Sequence, residues 1–519
     1  MERGPNLAGG SFSEKQPLDG DVYEPPQGEI EGILATVWEQ VLRVSRVGRN
    51  QNFFESGGNS LRALEALAQI NQHCGGGLTV ADAYMNPTIR ELAAALGGNL
   101  IEDGLVDLEQ EAVLDEQITA HAGQCRNPAK HILLTGGTGF VGRFLLVQLL
   151  QDTDATVHCL VRPGSARPGF VRLRETLHRW GLWRDEFAGR IVGVAGDLRL
   201  PQLGIGERPY RELCERIDSV YHCATSMNHL ETYAMAKSAN VDAVAELLRL
   251  ATQAAPKSVN YISTLSIFKG GAQGEGRVVD EFTSIDHERH RNSQGYSASK
   301  WVGEKIFMTA CERGIPCNIF RLGLIWADTR QGRYDELQHA YRLLKSCLLS
   351  GRGIEDYCYY PPPTPVDYAA RAVVSLASRH VEGSGIFHIS SPGPTIEGTF
   401  ERCNEILGTS LRLVPYYDWV QEIRRLHSDG RSLPIVPVLE YAFSLSEAAF
   451  YEHQCDMRLE TPRFDAARTQ QELEQAGIVA PPVDDELLRV CVEGMLTWDP
   501  ELTRLAEGYR LRRAVSLKS

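Results

Sequence analysis

The chain has 519 residues, of which 43% are hydrophobic and 23% are charged, and its formal net charge is −14. This length exceeds what one hydrophobic core usually supports, so we expect two or three domains. The acidic balance argues against a nucleic-acid or anionic membrane partner, and no apolar run approaches the ~20 residues needed to cross a bilayer.

The twelve cysteines are scattered from Cys74 to Cys491, and no two of them form a C-x-x-C pair. Zinc and redox-dithiol sites therefore lack their usual spacing, and we expect no metal site. The first residues carry no apolar stretch behind their charges, unlike a secretory signal. These features predict a reduced, cytoplasmic protein.

The first 130 residues predict a small helical domain between two irregular segments. Residues 1–28 contain Pro and Gly without periodicity and are predicted to form a flexible leader. In residues 29–97, "EIEGILATVWEQVLRV" repeats its apolar residues at helical spacing, and two further helical stretches follow. "NPTIRELAAAL" then sets Thr88 and Glu91 three apart as a capping box. We predict a four-helix bundle over 29–97 and a linker over 98–130.

The stretch "FFESGGNSL" places Ser60 at the start of the second predicted helix. One interpretation is a helix N-cap, in which the hydroxyl accepts a hydrogen bond from a free backbone N–H. The other is that the hydroxyl is held outward for covalent attachment of a cofactor arm. The local pattern alone is compatible with both.

After Lys130, short β-rich runs alternate with helical patterns, beginning with "HILLTG", "TVHCLVR" and "IVGVAGD" and ending with "CNIFRLGLI". This alternation predicts an α/β fold of the Rossmann type over 131–326, a doubly wound parallel sheet with helices on both faces. Beyond Trp326 the pattern becomes mostly helical, with one return to strand at "GIFHISS". We predict a mainly helical, substrate-binding subdomain over 327–519.

A glycine motif follows the first of these strands. In "ILLTGGTGFVGRFLLVQLL", Gly136, Gly139 and Gly142 stand in a G-x-x-G-x-x-G spacing between an apolar strand and an amphipathic helix. Such glycines allow a tight turn and close backbone approach, so that a pyrophosphate can sit at the helix N-terminus. The second strand ends in "LVRPG", where Arg162 stands in place of the acid that would bind a ribose 2′-hydroxyl. A guanidinium suits a 2′-phosphate, which favours NADP(H).

A candidate catalytic set follows on the fifth strand and the next helix. "YISTLSIF" carries Thr264, and "GYSASKWVGEK" carries Tyr296 and Lys300 four residues apart, hence on one helix face. A phenol is a poor acid–base group at neutral pH, and we expect the neighbouring ammonium to lower the pKa of Tyr296. The hydroxyl of Thr264 could polarise a carbonyl group.

These motifs resemble extended short-chain dehydrogenase/reductases, and more narrowly the thioester reductase domains that end non-ribosomal peptide synthetases, aminoadipate reductases and carboxylic acid reductases. "CLVRPG", "VAGDL", "GYSASKW" and "TPVDYAA" are similar to that branch. "QNFFESGGNSLRALEAL" resembles the phosphopantetheine site of peptidyl carrier proteins, which makes Ser60 the attachment point.

The resemblance implies roles for the matching residues. Thr264, Tyr296 and Lys300 correspond to the catalytic set. The positions implied in NADPH binding are Gly136, Thr138, Gly139, Phe140, Gly142, Arg162, Arg172, Asp197, Leu198, Ala224, Asn240, Tyr296 and Lys300.

The resemblance also implies the function: NADPH-dependent release of a carrier-bound acyl or peptidyl thioester as an aldehyde, with the alcohol as a further product. The implied partners are a phosphopantetheinyl transferase, and upstream synthetase modules or an adenylating enzyme. Three alternatives stay open at this point. They are a non-redox, Dieckmann-type cyclising domain, a sugar-nucleotide epimerase or dehydratase, and a cofactor-binding interaction module.

Overall fold

The protein is described by a computed structural model. It covers residues 23–505 except 43, 55, 57, 59–61, 64, 65, 68, 71–77, 79–81, 84, 85, 98–105, 164–167, 228–232, 269–276, 289, 291–294, 356–361, 384, 393–398, 408–410, 444–446, 449 and 452–461. The chain divides into two compact units, residues 1–104 and 105–519. None of the helices in the described part of the chain is both long and apolar enough to span a membrane.

The first unit has a small apolar core between helices α1 (Gly28–Leu42) and α2 (Ile89–Gly97). Trp38 of α1 is buried and meets the ring of Phe53 edge-on, with 4.8 Å between the ring centroids. The predicted capping box is confirmed: the Glu91 N–H donates to Thr88 Oγ1 (3.3 Å), and the Thr88 N–H donates to Glu91 Oε2 (3.2 Å). Ser60 lies outside the described residues.

The end of the predicted leader is attached to this unit. The guanidinium of Arg46 lies 4.0 Å from the ring centroid of Tyr23, and the Arg49 N–H donates to the Glu24 carbonyl (2.9 Å). Tyr23 and Glu24 therefore contact the loop after α1, whereas the sequence predicted a flexible leader up to residue 28. A composition rich in Pro and Gly does not reveal such long-range contacts.

The predicted linker over 98–130 is also wrong for its described part. Residues 106–130 belong to the second unit, and Leu114 and Ile118 are buried in its core. The Arg313 guanidinium donates to the carbonyls of Leu114, Asp115 and Ile118 at 2.6–2.9 Å. The segment looks polar in sequence because only a few of its side chains face inward.

The second unit is built on a parallel sheet, which confirms the predicted Rossmann-type fold. Among the described residues, the sheet has seven strands: β1 (His131–Thr135), β2 (Thr156–Val161), β3 (Ile191–Ala195), β4 (Ser219–His222), β5 (Ser258–Thr264), β7 (Cys317–Leu322) and β11 (Gly385–Ile389). They pair in the order β11-β7-β5-β4-β1-β2-β3. The order reverses between β1 and β4, and ligands of such sheets bind beyond the carboxyl ends of the strands at that point.

Short strand pairs flank the sheet, namely β6 (Val278–Val279) with β13 (Arg463–Phe464), β8 (Leu324–Trp326) with β10 (Pro363–Pro365), and β9 (Arg352–Ile354) with β12 (Arg412–Val414).

The helices associated with the sheet are α3 (Leu108–Glu111), α4 (Phe140–Asp152), α5 (Gly169–Arg179), α6 (Glu207–Arg216), α7 (Tyr233–Lys237), α8 (Ala243–Ala251), α9 (Gly295–Glu312), α11 (Val366–Arg379) and α15 (Ala467–Gln475). A π-helical turn (Ser238–Asp242) joins α7 to α8.

The remaining helices form a second core around Trp326, Trp419 and Cys491. They are α10 (His339–Ser350), α12 (Thr399–Leu407), α13 (Tyr416–Ser428), α14 (Val436–Phe443) and α16 (Asp485–Trp498). Helix α11 and strand β11 instead share the core of the sheet. The predicted boundary at residue 326 therefore does not separate two hydrophobic cores, since α11 and β11 come after residue 326 in the chain but pack in the core of the sheet.

Candidate active site

The glycine motif forms a turn at the carboxyl end of β1. Gly136 has a φ of +76°, a conformation that side chains rarely tolerate, and a Cβ there would lie 2.7 Å from the Ala224 nitrogen. A Cβ on Gly142 would lie 2.0 Å from the Gly136 carbonyl oxygen. The start of α4 can therefore approach the turn and the end of β4 only because these residues are glycines.

This turn suits a bound pyrophosphate. Gly139 caps α4 without any side-chain hydrogen bond, and the first turn of α4 carries no acid. The N–H groups at this helix end therefore have no side-chain cap and present the positive end of the helix dipole. Phe140 contributes backbone only, since its ring packs against Phe144 and Trp180 in the core.

Arg143 holds the glycine turn through hydrogen bonds from its guanidinium. Its guanidinium donates to the carbonyls of Gly139 (2.9 Å) and Thr138 (3.2 Å), and it pairs with Asp335 at 2.8 Å. These bonds tie the Thr138 and Gly139 carbonyls to the buried side of α4. Arg143 was not among the residues predicted from sequence, although it directly follows the last motif glycine.

Three of the residues implied in NADPH binding, namely Arg162, Arg172 and Asp197, lie near the ends of β2 and β3. The Arg172 guanidinium donates to the Arg162 carbonyl (2.6 Å), and the Arg162 side chain is exposed. Asp197 is held by Arg199, whose Nη2 lies 2.6 Å from Oδ2. The hydrogen bond from Arg199 lowers the pKa of Asp197, and the charge of Arg162 contributes in the same direction. Two guanidinium groups therefore lie near one carboxylate at this corner.

Leu198 is half-buried against the core beneath the same corner. Its neighbour Asp197 also receives a backbone bond, from the Arg199 N–H to Oδ1 (3.0 Å). The carboxylate is thus oriented by its own loop.

The three predicted catalytic residues meet where β5 ends against α9. The Tyr296 hydroxyl is hydrogen-bonded to Thr264, and the Ser266 N–H donates to Thr264 Oγ1 (3.1 Å). Lys300 is buried; its Nζ donates to the Ile262 carbonyl (2.8 Å) and lies 4.6 Å from the ring centroid of Tyr261. The helix spacing predicted from sequence therefore does place Tyr296 and Lys300 on the face that meets β5.

The pKa of Tyr296 differs from the sequence-based expectation. Burial raises it to about 12, and the hydrogen bond with Thr264 opposes that change only in part. Burial lowers the pKa of Lys300 to about 8. The expected lowering of the Tyr296 pKa by the ammonium is wrong for this structure, because removal from water disfavours the phenolate more than the nearby groups favour it. Tyr296 is thus a phenol at neutral pH and can donate a proton.

Asn240 organises the loop beside this set. Its Oδ1 accepts from the Ser226 N–H (2.7 Å), and its Nδ2 donates to Ser299 Oγ (2.9 Å) and the Ser226 carbonyl (3.1 Å). Asn240 is buried within the π-helical turn, so it supports the site through these hydrogen bonds. It ties the segment after β4 to the helix that bears Tyr296.

The backbone of Ala224 links the chain after β4 to the end of β1. Its N–H donates to Thr135 Oγ1 (3.1 Å), which also lies 2.9 Å from His222 Nδ1. His222 is fully buried, and within the described part of the chain its Nε2 has no hydrogen-bond partner. Burial lowers the pKa of His222 to about 3, so the ring is neutral.

Two family models match the chain. The model described as "Male sterility protein", an NAD-binding family, matches residues 134–373, and the model described as "Phosphopantetheine attachment site" matches residues 33–96. The fold and site thus define a Rossmann-type NAD(P)-binding oxidoreductase that follows a phosphopantetheine-carrying domain.

The terminal R domain from the myxalamid PKS-NRPS pathway is similar in sequence and structure. It is 30% identical, with a TM-score of 0.65, and the match covers 76% of this chain and 98% of that domain. A thiolation-reductase di-domain from an archaeal non-ribosomal peptide synthetase shares the fold, with a TM-score of 0.63, 21% identity and coverage of 92% of this chain and 99% of that one.

A polypeptide of the linear gramicidin synthase of Brevibacillus parabrevis is 30% identical over 484 residues, which is 90% of this chain but 9% of that polypeptide. The chain spans 32–47% of the length of seven further curated relatives. The chain belongs to the family of terminal reductase domains of non-ribosomal peptide synthetases, here joined to its carrier domain. The predictions of a carrier followed by a reductase, and of a bound nicotinamide cofactor, are confirmed at this level.

Proposed function

We propose that the protein releases an acyl or peptidyl chain from the phosphopantetheine arm on Ser60 by NADPH-dependent reduction of the thioester to an aldehyde. The observation that carries this proposal is the Tyr296–Thr264 hydrogen bond at the carboxyl edge of the sheet, beside the glycine turn. Two hydroxyl groups side by side can both donate to one carbonyl oxygen.

The cofactor would be held by the glycine turn, by Lys300 at the nicotinamide ribose and by Arg162 at the 2′-phosphate. When bound, NADPH supplies the hydride. Thr264 and Tyr296 would donate hydrogen bonds to the thioester oxygen, where negative charge develops, and such stabilisation usually contributes most to catalysis.

Proton transfer is the task of Tyr296. Because its pKa is raised to about 12, the phenol is protonated before reaction and can give its proton to the oxyanion. The carbon–sulfur bond of the reduced substrate would then break, the carbonyl would re-form as the aldehyde, and the hydroxyl proton would leave with the carrier sulfur as a thiol. The tether raises the local concentration of substrate, so high affinity for the acyl chain is not required.

We further propose that a phosphopantetheinyl transferase loads Ser60, and that upstream synthetase modules or an adenylating enzyme supply the acyl group. The test is to load Ser60 with an acyl-pantetheine, follow NADPH absorbance and identify the products by mass spectrometry. Oxidation of NADPH with formation of aldehyde or alcohol is expected, and the product states how far reduction proceeds.

Ser60→Ala is the control and should abolish both loading and release. Release of a cyclised product without loss of NADPH absorbance would contradict the proposal in favour of the non-redox alternative. NADPH binding without turnover of any loaded thioester would favour the alternative that the reductase domain is a cofactor-binding interaction module.

A further inference from the structure

A buried carboxylate lies on the same face of α9 as the catalytic pair. Glu304 follows Lys300 by four residues, as Lys300 follows Tyr296, so the three side chains share one helix face. The exposed fraction of Glu304 is 0%. A fully buried carboxylate is costly unless it is paired and hydrogen-bonded, which makes its partners informative.

Both oxygens of Glu304 are held by strands of the central sheet. Ser263 Oγ donates to Oε2 (2.7 Å), and Arg321 Nε donates to Oε1 (2.7 Å). Ser263 precedes the catalytic Thr264 on β5. The register partner of Ser263 on β7 is Arg321. The carboxylate therefore joins the helix that carries Tyr296 to the strand that carries Thr264.

The row of polar residues continues to the edge strand. His388 on β11 is the register partner of Arg321, and its Nε2 lies 3.2 Å from Arg321 Nη1. A guanidinium can only donate, so Nε2 accepts and Nδ1 carries the hydrogen that is donated to the Asp465 carbonyl (3.0 Å). Burial, with the charge of Arg321, lowers the pKa of His388 to about 3, so the ring is neutral. Arg321 is thus held from both sides.

We propose that Glu304 is a positioning residue of the reductase, whose carboxylate, anchored by Ser263 and Arg321, holds Lys300 and Tyr296 in register with Thr264 and faces the Lys300 ammonium with negative charge. This role rests on the proposed function, since it concerns the same catalytic set. Glu304 itself touches neither substrate nor cofactor in this assignment.

The groups around Lys300 show why the charge of Glu304 matters. They are His222 at the end of β4, Cys223 directly after it, Tyr261 on β5, and Tyr296 and Glu304 on α9. Burial raises the pKa of the Cys223 thiol to about 12 and that of Tyr261 well above its ordinary value, and His222 is neutral. Among these described groups, the Glu304 carboxylate, which is paired with Arg321, is therefore the source of negative charge near Lys300.

The sign of the effect follows from this arrangement. Burial lowers the pKa of Lys300 to about 8, and the nearby negative charge of Glu304 opposes that change. Without that charge, the ammonium should lose its proton at lower pH. In Glu304→Gln we expect the alkaline limb of the kcat–pH profile to move to lower pH by about 1 unit, the size typical of one close charge.

The test measures the pH dependence of kcat and, separately, of the NADPH dissociation constant by protein fluorescence. Glu304→Gln should bind NADPH about fivefold more weakly at pH 8, because the protonated fraction of Lys300 falls by that factor when its pKa drops by 1 unit from about 8, and it should show the shifted limb. Glu288→Gln is the matched control, because Glu288 is another buried carboxylate paired with an arginine, Arg277. It should lower the melting temperature without moving either pH profile.

Ser263→Ala keeps the Glu304–Arg321 ion pair and removes the hydrogen bond from Ser263 to Glu304. It therefore tests the proposal if Glu304→Gln does not fold. We expect a smaller fall in kcat, about threefold to tenfold, with a melting temperature near that of the wild type. Unchanged pH profiles in Glu304→Gln, or a wild-type kcat in Ser263→Ala, would overturn the proposal. A wild-type protein that binds NADPH with this pH dependence but reduces no thioester would instead contradict the proposed function alone.

Discussion

The glycine turn offers a prediction with a built-in control. Gly142→Ala adds one methyl group whose carbon would lie 2.0 Å from the Gly136 carbonyl oxygen and 2.6 Å from its carbonyl carbon. Both contacts are with backbone, so no side chain can rotate away, and α4 must separate from the turn. Gly137→Ala adds the same methyl group within the turn itself, but its nearest neighbour would be Leu134 Cδ2 at 3.4 Å, an ordinary contact.

The two substitutions should therefore differ sharply. Overpacking of this kind costs about 1–3 kcal/mol, and if that cost falls on the binding-competent turn, the affinity for NADPH drops about 5- to 150-fold. Gly137→Ala should stay within about threefold of the wild type, because no backbone has to move. The assay is titration of the purified full chain with NADPH, followed by protein fluorescence, with melting temperatures measured alongside.

Equal affinities in the two variants would refute the reasoning. If both were weakened alike, the turn would be intolerant of any side chain, and the distances at Gly142 would explain nothing. A Gly142→Ala protein that melts earlier but binds NADPH like the wild type would confine the clash to stability and remove the turn from cofactor binding.

Three further predictions concern single side chains of the site. Tyr296→Phe should lower kcat by about 10²- to 10⁴-fold and leave the NADPH dissociation constant within about twofold, since the lost hydroxyl is proposed to act on the carbonyl; rates near those of the wild type would contradict this role. Turnover should fall as pH rises through the Lys300 pKa of about 8, because the ammonium proposed to hold the ribose loses its proton; a profile that stays flat to pH 10 would be inconsistent with this. Arg162→Ala should reduce the preference for NADPH over NADH by about 10- to 100-fold, measured as the ratio of kcat/KM values, and an unchanged ratio would mean that the 2′-phosphate is bound elsewhere.

Local sequence patterns predicted the elements that carry the site. The run that ends in Thr135, the glycine spacing and the "YIST" part of "YISTLSIF" each have a short-range signature, and each forms the predicted strand or turn, whereas Leu265–Phe268 form a 3-10 helix. The same holds for Tyr296 and Lys300, whose spacing of four is enough to place them on one face of α9. These features depend on backbone geometry over a few residues, which the local sequence specifies.

Long-range packing explains the predictions that were wrong. Residues 106–130 look like a linker until Arg313, far away in sequence, is seen to bind their carbonyls. The pKa of Tyr296 was expected to fall because its helix carries a lysine, yet burial between strand and helix raises it. Neither the partner nor the depth of burial is written in the neighbouring residues.

The sequence by itself thus determined the order of carrier and reductase, the glycine turn and the candidate catalytic side chains, because spacing and residue type are local properties. Only the tertiary structure decided which groups surround them. The row formed by Ser263, Arg321 and His388 exists because β5, β7 and β11 are neighbours in the sheet, and Glu304 meets it because α9 packs there. Register between distant strands sets these contacts, and with them the charge and hydrogen bonding next to the proposed catalytic set.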